Sequence, residues 1–512
     1  MPDTRDRSPD DDDRAEADEY RPRPTALRRR RLLAISGAAA TGALAGCGGG
    51  GDGSTATPTA SSATTTEPAP DTTTATQTPT PSATAEPTTS TATTSEPTTT
   101  TAELTDQRQV LTAPSTHHHP LDGFSSADWL VEEDPEIVTV TSLDREGPGT
   151  LRDALRTPGP RIVVFEVGGV IDLQNSELGI PTREDTLLDR DFSKVLVAGQ
   201  TAPPPGITLV RGELQPYARD TIIQHIRVRV GDEVDGDYDS FSGGSLSENL
   251  ILDHCTATWS IDENMSADGG ATVAGKTFSN NLIAEGLYDS VHSKGPHSKG
   301  SLLEENQTNV SIFGNLYSCH NARHPRFKGG VHGVFVNNLV YNFGVAVELG
   351  LEGDTPTKIG VVGNHFIADE ATDTGTPVVW KEGGEHTPRA YVEDTVYPDD
   401  MALVSNAVKR VDESPLWPAA LSPIPAEDLP GSVLPNAGAR PAERPQTDKR
   451  IVRDVRERTG ELIDTQASVG GYPDPEPTER ALDPPEYGPA FAAWLRQHTR
   501  AVELGESPPT GG

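Results

Sequence analysis

The sequence predicts an all-β protein built as a parallel β-helix, with short helices at its ends. Short β-branched runs separated by Gly, Asn and Asp begin near Ile137. They recur with a period that is typical of solenoids. No helical period lies between them, which argues against alternating strands and helices.

The period follows from aligning the runs on the polar residue that ends each one. The aligned runs are Val195–Gly199, Thr221–His225, Leu250–His254, Thr277–Asn281, Ser311–Asn315, Val334–Asn338 and Ile359–Asn364. From His225 onward the end residues are 29, 27, 34, 23 and 26 residues apart. The recurring Asn predicts a ladder of stacked side-chain amides. A β-propeller is the alternative, but its blades need about 40 residues.

Helical patterns flank the repeat. Thr150 is a good N-cap for a short helix that ends at Leu155, and this helix could close one end of the stack. We expect the β-helix to span residues 116–369. Residues 370–512 are expected to be irregular, with short helices at Ile451–Glu457 and Ala490–Leu495 that pack on the β-helix.

The N-terminal segment predicts export. Residues 1–47 resemble a twin-arginine-type lipoprotein signal peptide, in which arginines precede an apolar stretch and Cys47 follows Leu-Ala-Gly. Cys47 would then carry a lipid; an uncleaved anchor with an incidental Cys is the alternative. Residues 48–115 are rich in Thr, Ser and Pro, which predicts a disordered and often glycosylated stalk. We expect a lipid-anchored domain outside the membrane, or a secreted one.

The composition limits the possible partners. A net charge of -35 disfavours binding to nucleic acid or to anionic membranes, so membrane contact is expected only through the lipid. With few Lys and few large hydrophobic residues, this charge also indicates adaptation to high salt. Beside Cys47, only Cys255 and Cys319 are present, and buried thiols are favoured over a disulfide. A monomer is expected.

Two basic segments interrupt this acidic background. The first, His292–Gly300, fills the longest interval of the repeat and contains Lys294 and Lys299. The second, Cys319–Gly330, lies one coil later and contains Arg323, Arg326 and Lys328. A solvated basic loop is one interpretation. The other is a site that binds a polyanion, since insertions in solenoids often form the binding face.

Two acidic groups precede the basic segments on consecutive coils. The first contains Asp235, Asp237 and Asp239, and the second is Asp262 with Glu263. Carboxylates from neighbouring coils could converge on Ca²⁺, which takes six to eight oxygen ligands. Such residues are also common in turns without a metal. Carboxylates for Ca²⁺ beside Arg and Lys suit a polymer that carries carboxylates.

Several motifs occur in the order found in one known family. They are Gly147–Leu155, Val167–Val170, Asp253–Cys255 and Arg323–Arg326, with Val469–Pro473 near the C-terminus. From about Val138 to Gly344 the chain resembles the pectate lyases of polysaccharide lyase family 1. The resemblance implies a single-stranded right-handed parallel β-helix and Ca²⁺-dependent β-elimination of polygalacturonate.

The resemblance also implies roles for individual residues. The candidate Ca²⁺ ligands are Asp237, Asp239, Asp262 and Glu263, and Ser266 stands where the family often has a further carboxylate. Arg323 matches the arginine base, with neighbouring cations that ease its loss of a proton. The substrate carboxylate would be contacted by Lys299, which is slightly favoured, or by Lys294. Lys328 replaces a second family arginine, for which Arg326 could compensate.

Other interpretations stay open at this stage. Arg323 could instead be a surface arginine that pairs with a carboxylate. The chain could be a β-helix hydrolase of the polygalacturonase type, or a non-catalytic receptor that binds polysaccharide. Trp259 and Tyr317 could stack on sugars or belong to the core. His292 and His297 are expected to form hydrogen bonds rather than to bind a metal.

Overall fold

The chain folds into a parallel β-helix with three walls. The computed structural model describes residues 103–181, 190–245, 247–269 and 273–509. The predicted signal segment with Cys47, and the stalk up to residue 102, lie outside these ranges.

The first wall is a parallel sheet of eleven strands. Its strands are Glu136–Val140, Arg161–Phe165, Val195–Ala198, Thr221–Gln224, Leu250–Asp253, Val273–Ser279, Gln307–Phe313, His332–Val336, Lys358–Val362, Arg389–Glu393 and Lys409–Arg410. Each of the seven runs aligned from the sequence falls on a different strand of this wall. The predicted repeat and fold class are therefore confirmed.

The second and third walls are two arms of one fifteen-stranded sheet, joined at the long strand Ile207–Pro216. The second wall comprises Ile226–Arg229, Thr256–Thr258, Leu282–Ala284, Leu316–His320, Leu339–Phe343 and His365–Ile367. The third wall comprises Phe241–Gly243, Glu263–Ala267, Lys299–Leu303, Arg326–Phe327, Val347–Gly350 and Val379–Gly383. The strand Val167–Ile180 pairs in parallel with the joining strand. The short strand Thr478–Glu479 pairs antiparallel with the first residues of Val167–Ile180.

Short helices lie around the β-helix. The α-helices are Trp129–Glu132, Leu151–Leu155, Leu429–Asn436, Gln446–Glu457 and Pro489–Leu504. The 3-10 helices are Gln107–Gln109, Pro120–Asp122, Gly199–Thr201, Ala426–Asp428, Pro441–Glu443 and Gln466–Val469. As predicted, the Thr150 hydroxyl caps its helix by accepting the Asp153 N–H at 3.2 Å. Within the ranges that the structure describes, no helix is both long and apolar enough to cross a membrane.

The helices cover two of the three walls. The helix Pro489–Leu504 packs Phe491 and Leu495 on outward residues of the first wall, such as Ile162. The helices Leu429–Asn436 and Gln446–Glu457 pack on outward residues of the second wall. Outward positions of the third wall are mostly polar or charged, so this wall is the one on which a polar ligand can lie.

The folded part extends beyond the predicted boundaries of 116 and 369. Val110 and Leu111, assigned to the stalk, are buried beneath the helix Pro489–Leu504. Four strands follow residue 369, and the first three of them, from Val379–Gly383 onward, extend the walls. Both Cys255 and Cys319 are free and buried, as expected.

A ladder of buried asparagines runs along the turn after the first wall. The side-chain amide of Asn281 donates to Asn315 Oδ1 at 3.0 Å, Asn315 donates to Asn338 at 2.9 Å, and Asn338 donates to Asn364 at 3.1 Å. Each acceptor oxygen also receives the backbone N–H of the preceding asparagine. The predicted amide stack is therefore confirmed, and it supplies hydrogen bonds to backbone groups that turn away from the sheet.

We predict that Asn315→Ala lowers the free energy of unfolding by about 2–3 kcal/mol, because it leaves buried partners on both neighbouring coils without hydrogen bonds. Urea denaturation followed by circular dichroism would measure the change. Asn436→Ala, at a half-buried position at the end of a helix, is the control and should change stability by about 0.5 kcal/mol at most. Equal effects of the two substitutions would contradict a special role for the ladder.

Candidate active site

Three carboxylates converge at the start of the third wall. Asp239, Asp262 and Glu263 each place an oxygen within 4.8 Å of the others. Asp239 Oδ1 accepts the backbone N–H of Glu263 at 2.8 Å, and its Oδ2 accepts the hydroxyl of Ser266. Ser266, which departs from the family pattern, therefore holds Asp239 in place.

The loop between Ala284 and Lys299 brings two histidines to Asp262. His297 Nε2 lies 2.8 Å from Asp262 Oδ1, and His292 Nε2 lies 3.8 Å from Oδ2. The two imidazole rings stack with their centroids 3.7 Å apart. Asp237 fixes the loop by accepting the backbone N–H of Ser293 at 2.9 Å, and also its hydroxyl.

Both histidines direct an N–H toward Asp262. An ionised carboxylate only accepts hydrogen bonds, so His297 donates through Nε2. His292 Nδ1 accepts the backbone N–H of Lys294 at 3.0 Å, which leaves the proton of the neutral ring on Nε2. His297 therefore donates a hydrogen bond to Asp262, whereas His292 Nε2 faces it from beyond hydrogen-bond distance.

The protonation states of Asp262 and His297 follow from their burial and from the charges around them. Burial favours the neutral form of Asp262, but the two imidazoles that face it, His292 and His297, and the charge of Arg323 outweigh this effect. The pKa of Asp262 therefore lies well below its usual range. Burial lowers the pKa of His297 even though Asp262 opposes this effect. The carboxylate is therefore ionised at neutral pH beside a neutral imidazole.

Arg323 enters the same site from the turn before strand Arg326–Phe327. Its backbone adopts a left-handed conformation with φ of 67°, which is uncommon for a residue with a side chain. Its Nη1 contacts Glu263 and lies 3.9 Å from Asp262 Oδ1. Its Nε is buried and has no hydrogen-bond partner among the described residues. The pairing with a carboxylate considered from sequence is thus present, in a buried setting.

The pKa of the Arg323 guanidinium lies below its ordinary value. Burial is the main cause and the nearby charge of Arg326 adds to it, while carboxylates such as Asp262 oppose the shift. A cation that loses solvent and faces another cation gives up its proton more readily than one on the surface.

The other predicted cations lie at different distances from this cluster. Lys299 is a buried strand neighbour of both Glu263 and Ala322, whereas Lys294 is exposed. Arg326 binds Glu348 at 2.8 Å and also Glu382. Lys328 lies 3.4 Å from both Glu304 and Glu352. The structure thus joins Asp239, Asp262, Glu263 and Arg323, with Lys299 on the strand next to Glu263. Lys294 is exposed, and Arg326 and Lys328 pair with other carboxylates.

Several neighbours of the site were not identified from sequence. Glu348 and Glu382, which pair with Arg326, lie on strands of the third wall, which the alignment of first-wall runs did not include. Trp259 and Tyr317, considered as sugar-stacking residues, are both fully buried. Trp259 Nε1 donates to Glu285 at 3.0 Å. Neither ring is therefore available to a polysaccharide.

A second histidine–carboxylate group has a structural explanation. His225 Nδ1 accepts the backbone N–H of Arg440 at 3.2 Å, so its Nε2–H faces Glu503 at 3.4 Å. Burial disfavours charge on His254, but Glu503 and Asp253 outweigh this and raise its pKa to about 9. This buried network attaches the helix Pro489–Leu504 to the first wall.

The converging carboxylates fit a hard divalent cation. Asp239, Asp262 and Glu263 offer only oxygen, the ligand type that Ca²⁺ prefers. Asp262 also forms a second group with His292 and His297, whose Nε2 atoms face it.

Comparison with known proteins adds independent information. No protein-family model matches the chain. A relative from Aspergillus flavus, named probable pectate lyase C, is 32% identical over 357 residues, or 66% of this chain and 77% of the relative. A relative with the same name from Emericella nidulans is 31% identical over 363 residues, or 68% of this chain and 78% of that relative. A solved pectate lyase from Bacillus sp. N165, in complex with trigalacturonate, aligns with a TM-score of 0.45 and 13% identity over 62% of this chain and 98% of that chain.

The alignment with these relatives covers most of their length. It covers more than three-quarters of each of these relatives and about two-thirds of this chain. The chain therefore belongs to the pectate lyases of polysaccharide lyase family 1.

Proposed function

We propose that this protein cleaves polygalacturonate by Ca²⁺-assisted β-elimination, with Arg323 as the base. The observation that carries the proposal is the placement of the Arg323 guanidinium, buried and with a lowered pKa, against Asp262 and Glu263. The names of the curated relatives support the same substrate class.

The reaction removes the C5 proton of a uronate residue and breaks the bond between C4 and O4. The electrons of the C5–H bond form a C4=C5 double bond, and O4 takes a proton from water. The difficulty is that negative charge develops next to the carboxylate of the same sugar. When bound, Ca²⁺ would neutralise that carboxylate and stabilise the developing charge. The residues that would hold it are Asp239, Asp262 and Glu263, with Asp237 beside them.

Arg323 suits the base role because of where it lies. A guanidinium on the surface stays protonated and cannot accept a proton. Burial and the charge of Arg326 lower the pKa of Arg323, so a larger fraction of it is neutral. Its carboxylate partners oppose this effect, and a cation bound to them would weaken the opposition.

Neighbouring residues would position the reacting groups. Lys299 would pair with the substrate carboxylate, since it lies between the coils of Glu263 and Arg323. His297 would orient Asp262 through its 2.8 Å hydrogen bond, as partners of ligating side chains commonly do. Arg326, held by Glu348 and Glu382, would keep positive charge beside Arg323. Lys328, surrounded by glutamates, would act only at longer range.

We predict that Arg323→Lys lowers kcat on polygalacturonate by about 100-fold or more, because a lysine cannot reproduce the base at that position. Ultraviolet absorbance of the unsaturated product measures the rate. Arg453→Lys, on an exposed helix position, is the matched control and should keep full activity. Full activity of the Arg323 variant would exclude it as the base. Saturated reducing ends without absorbance would favour a hydrolase, and binding without cleavage would favour a receptor.

We predict that chelation of divalent cations abolishes cleavage and that added Ca²⁺ restores it. Titration calorimetry with Ca²⁺ tests the site independently of activity. Asp262→Asn should weaken binding about tenfold or more, because it removes a ligand charge. The exposed Asp412→Asn is the control and should bind like the wild type. Unchanged Ca²⁺ affinity in the Asp262 variant would show that the ion binds elsewhere.

We also propose that the protein is exported and anchored through a lipid on Cys47, followed by a Thr-, Ser- and Pro-rich stalk. The support is the sequence pattern alone, since Cys47 lies outside the described residues. Cys47→Ala should move the protein from the membrane fraction to the soluble fraction in a host that processes lipoproteins, as measured by fractionation and immunoblotting. Retention of the variant in the membrane fraction would point to a different anchor.

A further inference from the structure

The outer face of the third wall carries one row of residues that are neighbours from coil to coil. In register order the row is Ser242, Ser266, Leu302, Arg326, Glu348 and Trp380. Each of them lies next to a core residue in its strand, such as Phe327 beside Arg326 and Val379 beside Trp380. Because side chains alternate along a strand, the row points away from the core.

Trp380 is the aromatic member of this row. It is partly exposed, whereas Trp259 and Tyr317 are fully buried. It belongs to none of the four hydrophobic clusters formed by the described residues. Its indole nitrogen is buried and has no hydrogen-bond partner in the part of the chain that the structure describes, so the partial exposure of the residue belongs to the rest of the side chain. Packing of the fold therefore does not explain a tryptophan at this position.

The distance from Trp380 to the reacting centre suits a polymer. Arg326, in the coil of Arg323, is separated from Trp380 by two strand steps, or about 10 Å. The row runs along the axis of the β-helix, so an extended polysaccharide that lies on it reaches Trp380 a few sugar units from the bond that is cleaved.

The charges around Trp380 indicate how it would bind. The nearest cation in the row, Arg326, is already paired with Glu348 and Glu382. A uronate carboxylate that lies near Trp380 therefore gains little from ionic contact with Arg326. A pyranose ring also has a face of C–H groups, and an indole offers a large apolar surface for such a face.

We propose that Trp380 is a sugar-binding platform that stacks on the ring face of a galacturonate residue at a subsite remote from the cleaved bond. The inference rests on the proposed function, because it takes the polymer to lie along the third wall. Binding energy from such a remote contact raises the efficiency of long substrates and leaves the shortest ones unaffected.

Oligogalacturonates of defined length test this proposal. Trp380→Ala should lower kcat/KM for long oligomers about tenfold and leave it unchanged for the shortest oligomers that are cleaved. Trp380→Phe, which keeps an aromatic face, should recover most of the loss. Trp417→Ala, which removes an indole on the first wall, is the control for loss of a tryptophan. An equal effect at every length, or no effect, would overturn the proposal.

Binding provides a second readout that does not depend on cleavage. Titration with long oligogalacturonates should change the tryptophan fluorescence of the wild type and of Trp417→Phe, and the change should be absent in Trp380→Phe. A change retained in Trp380→Phe would overturn the proposal even if catalysis follows expectation. A wild type that binds and shows this pattern, but forms no unsaturated product, would refute the proposed lyase activity and leave the role of Trp380 intact.

Discussion

The register between successive coils is the constraint on which this structure depends. Parallel strands stack about 4.8 Å apart, so a residue at one position of a coil contacts the residue at the same position of the next coil. A buried polar group in a turn must form a hydrogen bond with the neighbouring coil, because burial without a partner costs free energy. Asn281, Asn315, Asn338 and Asn364 meet this requirement by donating to one another in sequence. The same ladder prevents slippage between coils, because a shift would break several hydrogen bonds together.

That register also assembles the candidate active site. Asp239 and Glu263 come from adjacent coils and are joined by a 2.8 Å hydrogen bond from backbone to carboxylate. Lys299 is the strand neighbour of Glu263, and the bridge from Lys299 to Ala322 brings Arg323 alongside. Four groups that are far apart in the chain therefore meet without a dedicated binding loop. The exception is Asp262, which accepts a hydrogen bond from His297 in the insertion of the following coil.

The sequence predicted those features of the fold that recur once in every coil. The strand spacing and recurring asparagine predicted the first wall and its amide ladder, and resemblance to a family supplied the candidate roles of Arg323 and the carboxylates. The reach of Arg323 to Glu263 was not predictable, because it depends on the path of turns of unequal length. Trp380 was missed for a related reason. Its strand, Val379–Gly383, belongs to the third wall, whereas the alignment on asparagine covered only strands of the first wall.

The distribution of charge explains why an acidic protein can still suit an acidic polymer. The three cations of the second basic segment each face at least one carboxylate: Arg323 faces Glu263, Arg326 faces Glu348, and Lys328 faces Glu304. These side chains therefore carry little positive charge that is free to attract a uronate. A divalent cation held by Asp239, Asp262 and Glu263 would cancel part of this negative charge at the reacting sugar. Away from that point, contacts with sugar ring faces become more useful than further cations, and this favours an aromatic residue such as Trp380 on the later coils.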